Sequence, residues 1–438
     1  MTSVDQGQAA GALGRLTRVG RGLGRIPVTL ITLSLLLIAG IATGTLFAPA
    51  NPDNPLIRSL EFGLPAYREG RVWTAFTGAV TFRDPEFYLF VGGMLAVGLG
   101  LYERRVGSLR SATALIVTHG VGVVLPALLL WPFAGGAWHW AATLAGELDS
   151  GVSAGGFGVA AAATALLSPP WRTRLRVLGT AFLLVLVIKS GLLWDLEHFS
   201  AWLTGLAIGP RLARRDRQPG RYRDHAEVRA LVSSIVAAFA LSTMVESFHP
   251  GIGGLVGPGP VSPVQVRGFG VVLLELVITL MIAGALPRLG ATPWWVAVAG
   301  TIAIGVNSLL NAGPHPGTGD AVCAGIVLAV LIRYRRAWPW RADRTAPRAL
   351  GALAVLMVGY AALTAVGIWA AAGHFDPVPD PLVIARQTAS RFTFTVGPLV
   401  PLDGPALAVL RISGLVWALI FIGWLSWAMY SGGRREPQ

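Results

Sequence analysis

Long, uninterrupted apolar runs are the feature that most restricts how this chain of 438 residues can fold. Several of the runs exceed the roughly 18–20 residues that an α-helix needs to cross a bilayer. Inside lipid, every backbone N–H and C=O must be paired within the protein, and a helix satisfies them by itself. The sequence therefore predicts an all-α, polytopic membrane protein.

Composition supports this class and argues against a nucleic-acid binder. Only 13% of the residues are charged, against roughly 25% in soluble domains. The formal charge of +13 comes from arginines in short loops, as expected of topology determinants. Lys189 is the only lysine, which is typical of a GC-rich genome, and the single Cys323 excludes an internal disulfide and a Cys-based zinc site. We expect no metal, no cofactor and no directly bound nucleic acid.

The apolar runs predict twelve spans. They cover residues 27–48, 86–102, 111–133, 151–168, 174–194, 197–212, 226–247, 268–287, 293–312, 319–334, 348–372 and 405–430. Every second loop is rich in arginine, which predicts a plasma (inner) membrane protein with both termini in the cytoplasm.

A basic stretch separates six spans from six. The expected organisation is a basic N-terminus (1–26), a first six-helix module (27–212), a basic linker (213–225), a second six-helix module (226–431) and a C-terminal tail (432–438). The N-terminus, the linker and the tail are predicted to be cytoplasmic.

The fourth and sixth spans each carry a stripe of small residues and one polar side chain near the outer end. Small residues let helix backbones approach closely in lipid. If the two stripes pack together, Ser153 and His198 lie at similar depth, as a serine–histidine dyad requires. The stripes are Gly151, Gly155 and Gly158 in the fourth span, and Ala201, Gly205 and Gly209 in the sixth.

The first 215 residues resemble the rhomboid intramembrane serine proteases. The resemblance is carried by GRVWTAFTG (70–78), YERRVGS (102–108), GVSAGGFG (151–158) and EHFSAWLTGLAIG (197–209). It implies a six-helix fold, Ser153 as nucleophile, His198 as general base and a transmembrane peptide as substrate.

Two departures from that family weaken the expected activity. Ala154 stands where the family has glycine, and its methyl group is expected to crowd the oxyanion site. The positions that should supply oxyanion donors are Phe87 and Val91, or Leu89 and Gly93 in a shifted register, and none can donate from its side chain. Losing one such donor lowers the rate by about 10²–10³. The sequence therefore favours a rhomboid-like scaffold with weak or no proteolysis.

Polar residues inside the second module predict a lipid or ion cavity. Ionisable residues within membrane helices usually face the protein interior and are functional candidates. The candidates are Glu275, Asn307, Asn311, His315 and Asp320. In the first module, Lys189 and Asp195 are expected to form a structural ion pair.

The second half resembles the membrane region of lysylphosphatidylglycerol synthase/flippase-type proteins. The likeness covers roughly 265–435. It is carried by stretches at 287–311, 320–350 and 373–377 and by the closing helix, which ends in GGRR. It implies membrane phospholipid as a partner. It also implies either a membrane-only relative of that family or a longer protein with a cytoplasmic synthase domain after residue 438.

The sequence thus leaves three functions open. Phospholipid handling, as the flippase-like part of an aminoacyl-phospholipid synthase on a rhomboid-like scaffold, stands first because it accounts for both halves. The alternatives are an active rhomboid protease and a non-catalytic membrane scaffold.

Overall fold

A computed structural model of the protein describes residues 24–51, 54–214, 224–248, 255, 269–287, 291–310, 318–338, 345–392 and 397–430. Helices dominate these ranges, and the only sheet among them is one antiparallel pair of two-residue strands. Five of the described helices are long and apolar enough to cross a membrane: Pro85–Val106, Ser108–Phe133, His225–Glu246, Gly351–Ala370 and Gly404–Met429. An all-α, membrane-embedded protein is confirmed, whereas the predicted count of twelve spans is not.

The described residues fall into two compact units. The first lies within Met1–Arg221, Phe248–Val264 and Gly305–Cys323. The second lies within Tyr222–Ser247, Gln265–Ile304 and Ala324–Gln438.

The first unit is built mainly from eleven helices. They are α1 (Pro27–Thr43), α2 (Pro55–Leu60), α3 (Leu64–Arg68), α4 (Thr74–Thr77), α5 (Pro85–Met94), α6 (Gly100–Val106), α7 (Ser108–Leu130), α8 (His139–Leu144), α9 (Ser153–Ala163), α10 (Trp171–Lys189) and α11 (Leu193–Leu212). A π-helical turn, Leu95–Leu99, joins α5 to α6, so the two form one span. Short 3-10 turns follow α4, α7 and α9.

Small residues bring α7, α9 and α11 into close contact. A Cβ atom added at Gly205 of α11 would lie 2.0 Å from the carbonyl oxygen of Gly158 in α9. One added at Gly122 of α7 would lie 2.8 Å from the Cβ of Ala201 in α11. Because these backbones nearly touch, the side chains that point between the helices are held at short, fixed separations.

A buried glutamate ties the start of α1 to the end of α6. The Glu103 carboxylate accepts hydrogen bonds from the backbone N–H groups of Val28 and Thr29, both at 2.9 Å, and from the Thr29 hydroxyl at 2.8 Å. The first N–H groups of a helix have no acceptor within the helix, and here the carboxylate supplies one. We name this arrangement the Glu103 clamp.

Glu103→Gln is expected to destabilise the protein by about 2–3 kcal/mol, because a neutral amide replaces a charged acceptor and its NH₂ group faces donors. Thermal unfolding in a mild detergent would measure the loss. Glu86→Gln, an exposed residue in the first turn of α5, is the matched control and should leave the melting temperature unchanged. Equal melting temperatures for the two variants would contradict the clamp.

The second unit contains the remaining helices and the strand pair. They are α12 (His225–Phe248), α13 (Phe269–Ala285), α14 (Ala291–Leu310), α15 (Thr318–Arg333), α16 (Thr345–Ala370), β1 (Phe375–Asp376), α17 (Pro381–Phe392), β2 (Val400–Pro401) and α18 (Gly404–Tyr430). One end each of α12, α14 and α15 belongs to the first unit.

Buried indole groups stabilise the core of this unit. Trp294 Nε1 donates to the Leu331 carbonyl at 3.0 Å, and Trp338 Nε1 donates to the Leu286 carbonyl at 3.1 Å. Both rings belong to one cluster of buried side chains that also includes Leu425. Each ring therefore combines a large buried apolar area with a satisfied polar atom.

Helices α16 and α18 form a hairpin that is closed at one end by the strands. Phe375 pairs with Pro401, and Asp376 pairs with Val400. His374 and Asp403 form an ion pair beside the strands. The N–H of Ala406 and the His374 ring lower the pKa of the Asp403 carboxyl, which keeps it ionised.

Candidate functional site

The backbone before α9 places Ser153 at the first position of that helix. Gly151 has φ of +108°, and a Cβ added there would lie 2.1 Å from the Phe82 ring. The Gly151 N–H donates to the Gly78 carbonyl at 2.8 Å. Only glycine fits this turn without strain, and the turn directs the chain into α9 at Ser153.

The structure brings Ser153 and His198 into hydrogen-bond contact. His198 Nε2 lies 2.8 Å from Ser153 Oγ, although 45 positions separate the two residues in the sequence. Both side chains are half-buried. The contact follows from the close approach of α9 and α11 at Gly158 and Gly205. This is the distance at which a histidine can accept the proton of a serine hydroxyl.

Phe157 holds the His198 ring from the side. Their ring centroids are 4.5 Å apart and the ring planes differ by 34°. Phe157 lies four residues after Ser153, so both face the same side of α9. Phe157 was not among the predicted site residues, although its spacing from Ser153 is a sequence signal that identifies it.

The structure places Ala154 and the proposed oxyanion positions among apolar groups. Ala154 is buried in a cluster with Phe62 and Val123. Phe87 packs 6.3 Å from the Trp194 ring, and Val91 is buried. The first N–H groups of α9 have no acceptor within the helix, so they are the donors closest in sequence to Ser153 that can face a developing negative charge.

A group of carboxyls lies next to the dyad in sequence. The Asp149 carboxyl lies close to the Glu197 carboxyl. Burial raises the pKa of the Asp149 carboxyl. Asp149 also forms a backbone bridge with Phe62, whose neighbour Glu61 binds Arg83 through two hydrogen bonds of 2.5 and 2.8 Å. These contacts anchor the segment that leads into Ser153.

Lys189 has a partner that the sequence did not indicate. Its ammonium group lies 2.8 Å from the Asp320 carboxylate. Asp195, the expected partner, accepts hydrogen bonds from the Ser190 hydroxyl at 2.7 Å and the Leu192 N–H at 3.0 Å. Asp320 was predicted to line a lipid or ion cavity in the second module, and the structure places it in the first unit instead.

Of the other residues predicted for that cavity, the structure describes the side chain of Glu275 alone, so their grouping stays a prediction. Glu275 is half-buried in α13. Asn311 and His315 lie outside the described residues, and the side chain of Asn307 is not described. Within the described ranges, no group of three or more His, Cys, Asp or Glu side chains is placed to hold a metal ion.

Comparisons with protein-family models, with curated proteins and with solved structures give no match to this chain. The resemblances to rhomboid proteases and to lysylphosphatidylglycerol synthase/flippase-type proteins therefore stay predictions. The geometry of the Ser153–His198 pair stands independently of them.

Proposed function

We propose that the first unit is an intramembrane serine hydrolase of the rhomboid-protease type, with a transmembrane peptide as substrate. The observation that carries the proposal is the 2.8 Å contact between Ser153 Oγ and His198 Nε2. Because of this contact, we rank hydrolysis above phospholipid handling, which was the first hypothesis from the sequence.

The reaction would proceed through an acyl-enzyme. Ser153 Oγ attacks the scissile carbonyl carbon, and His198 Nε2 takes the hydroxyl proton. His198 then passes this proton to the leaving amine as the peptide C–N bond breaks. Water, deprotonated by the same ring, hydrolyses the ester and restores Ser153. The N-terminal N–H groups of α9 would stabilise the oxyanion, partly replacing the side-chain donors absent at Phe87 and Val91.

A fluorophosphonate probe tests the proposal without knowledge of the substrate. Wild-type protein in detergent should be labelled covalently, and Ser153→Ala should show no labelling, because the probe needs an activated hydroxyl. Ser150→Ala is the matched control, since it removes a neighbouring serine hydroxyl outside the dyad, and it should be labelled like wild type. A folded wild-type sample that is not labelled would contradict hydrolysis and favour a non-catalytic scaffold.

Phospholipid handling by the second unit is our second proposal. Glu275 supports it, because a half-buried carboxyl inside an apolar helix is a functional candidate. The predicted path through Asp320 gains no support, since that residue pairs with Lys189 in the first unit.

A further inference from the structure

Helix α17 runs from the strand end of the α16–α18 hairpin towards its middle. Near its start, Val383 and Ile384 pack on the buried cluster beside the strands, which contains Phe375. At its last residue, the Phe392 ring lies 5.7 Å from the Tyr360 ring and 4.8 Å from the Trp417 ring.

The far end of α17 therefore lies deep within the hairpin. At a rise of 1.5 Å per residue, Tyr360 is about 15 Å along α16 from Ala370, and Trp417 is about 20 Å along α18 from Gly404. The hydrocarbon core of a bilayer is about 30 Å thick. The contacts of Phe392 thus lie roughly half-way across it.

From Gly397 onward, the described chain runs back to the strand end of the hairpin, where α17 begins. Gly397 lies against Gln387, and the Leu399 N–H donates to Gln387 Oε1 at 3.1 Å. Leu399 then leads into β2 at the strand end. Helix α17 and the described segment from Gly397 onward thus share the strand end of the hairpin, and irregular backbone at such depth is tolerated in a membrane only where protein or a polar cavity surrounds it.

Three buried N–H donors near the far end of α17 have no acceptor in the described part of the chain. They are Gln387 Nε2, Arg391 Nε and Trp417 Nε1. Gln387 and Trp417 are only 1% and 2% exposed. Gln387 and Arg391 are four residues apart on one face of α17, and Arg391 lies beside Gly414, one turn before Trp417. We name these three side chains the donor cluster.

The chemistry of the donor cluster selects an anion. Buried donors without acceptors are rare in folded proteins and require an explanation. An arginine guanidinium presents a planar set of donors that matches phosphate oxygens. No carboxylate is paired with Arg391 among the residues described. The Nε atom of Arg391 is enclosed, whereas the residue as a whole is only half-buried.

We propose that the donor cluster binds the phosphate group of an anionic phospholipid beside the far end of α17 in the second unit. A lipid is the favoured source because the hairpin exposes a wide apolar face. Val355 and Leu363 of α16 are 73% and 74% exposed, and Leu415 of α18 is 61% exposed. The site is independent of the proposed hydrolase and would give the proposed phospholipid handling a defined contact.

Native mass spectrometry of the full chain in a maltoside detergent tests this site. The protein is titrated with short-chain phosphatidylglycerol, with phosphatidylcholine of the same chain length, and with inorganic phosphate. Wild type should bind phosphatidylglycerol, and Arg391→Gln should weaken this binding roughly tenfold to a hundredfold. Arg386→Gln is the matched control, because it removes the same charge from an exposed position of the same helix, and it should bind like wild type.

Each outcome bears on the proposal. Equal binding by wild type and Arg391→Gln, or equal losses for Arg391→Gln and Arg386→Gln, would overturn it. Competition by inorganic phosphate at concentrations similar to the lipid would keep the anion site but assign it to a soluble anion. If Arg391→Gln does not fold, Trp417→Phe keeps an aromatic ring and removes one donor, and it should weaken binding severalfold; unchanged binding would count against the cluster. The Glu275→Ala variant separates phospholipid handling from binding at the donor cluster. It should bind phosphatidylglycerol like wild type even if it abolishes phospholipid handling.

Discussion

Replacing His198 by alanine is expected to slow fluorophosphonate labelling of Ser153 by roughly 10³-fold or more. Without the imidazole, the Ser153 hydroxyl has no hydrogen-bonded base among the described residues, and serine is a weak nucleophile by itself. Loss of either member of such a pair removes most of the rate enhancement. The measurement is the labelling rate in detergent, followed by gel fluorescence over time.

Two variants make this result specific. His198→Gln can still hydrogen-bond to the Ser153 hydroxyl but cannot act as a base, so it should lose as much labelling as the alanine variant. His139→Ala changes an exposed histidine in α8 and should label at the wild-type rate. A His198→Ala protein that keeps its native melting temperature and labels normally would show that the 2.8 Å contact has no catalytic meaning.

Gly205→Ala is expected to destabilise the first unit by about 3 kcal/mol, near the upper end for overpacking. The added methyl group would lie 2.0 Å from the Gly158 carbonyl oxygen, which is backbone and cannot rotate away. Helices α9 and α11 would have to separate, and the Ser153–His198 contact would lengthen with them. Melting temperature and probe labelling should therefore fall together.

Gly93→Ala provides the comparison for this prediction. Gly93 is also in a helix of the first unit, but a Cβ added there meets no atom within 4 Å. Alanine has the higher helix propensity by about 1 kcal/mol, so this variant should be as stable as wild type or slightly more so. Similar melting curves for the two alanine variants would refute close packing at Gly205.

The dyad is the part of the site that the sequence indicated most directly. Its elements are local stripes of small residues, and helical spacing alone places each stripe on one face. Close helix packing in lipid depends on such stripes, so the pairing of α9 with α11 could be anticipated. The polar residue near the end of each stripe then identified the candidate pair.

Long-range contacts and irregular turns were beyond the same reasoning. The Lys189–Asp320 pair joins residues more than a hundred positions apart, and no local spacing encodes it. The π-helical turn at Leu95–Leu99 takes one extra residue per turn, so counting back from Glu103 with ordinary helical spacing misplaces the residues before it. The donor cluster was missed because Gln387 and Arg391 lie on a short helix that is too polar to be read as a span.

The Glu103 clamp has a consequence for biogenesis. The opening turn of α1 lacks acceptors for two amide groups until the carboxylate from the second span arrives. A nascent first span would therefore be incomplete as it leaves the translocon, and it gains its partner only once the chain has turned back. The first and second spans would then pack together as a pair. This packing also brings Arg25, Arg104 and Arg105 to one end. A single acidic side chain would thereby make the placement of both segments depend on one contact.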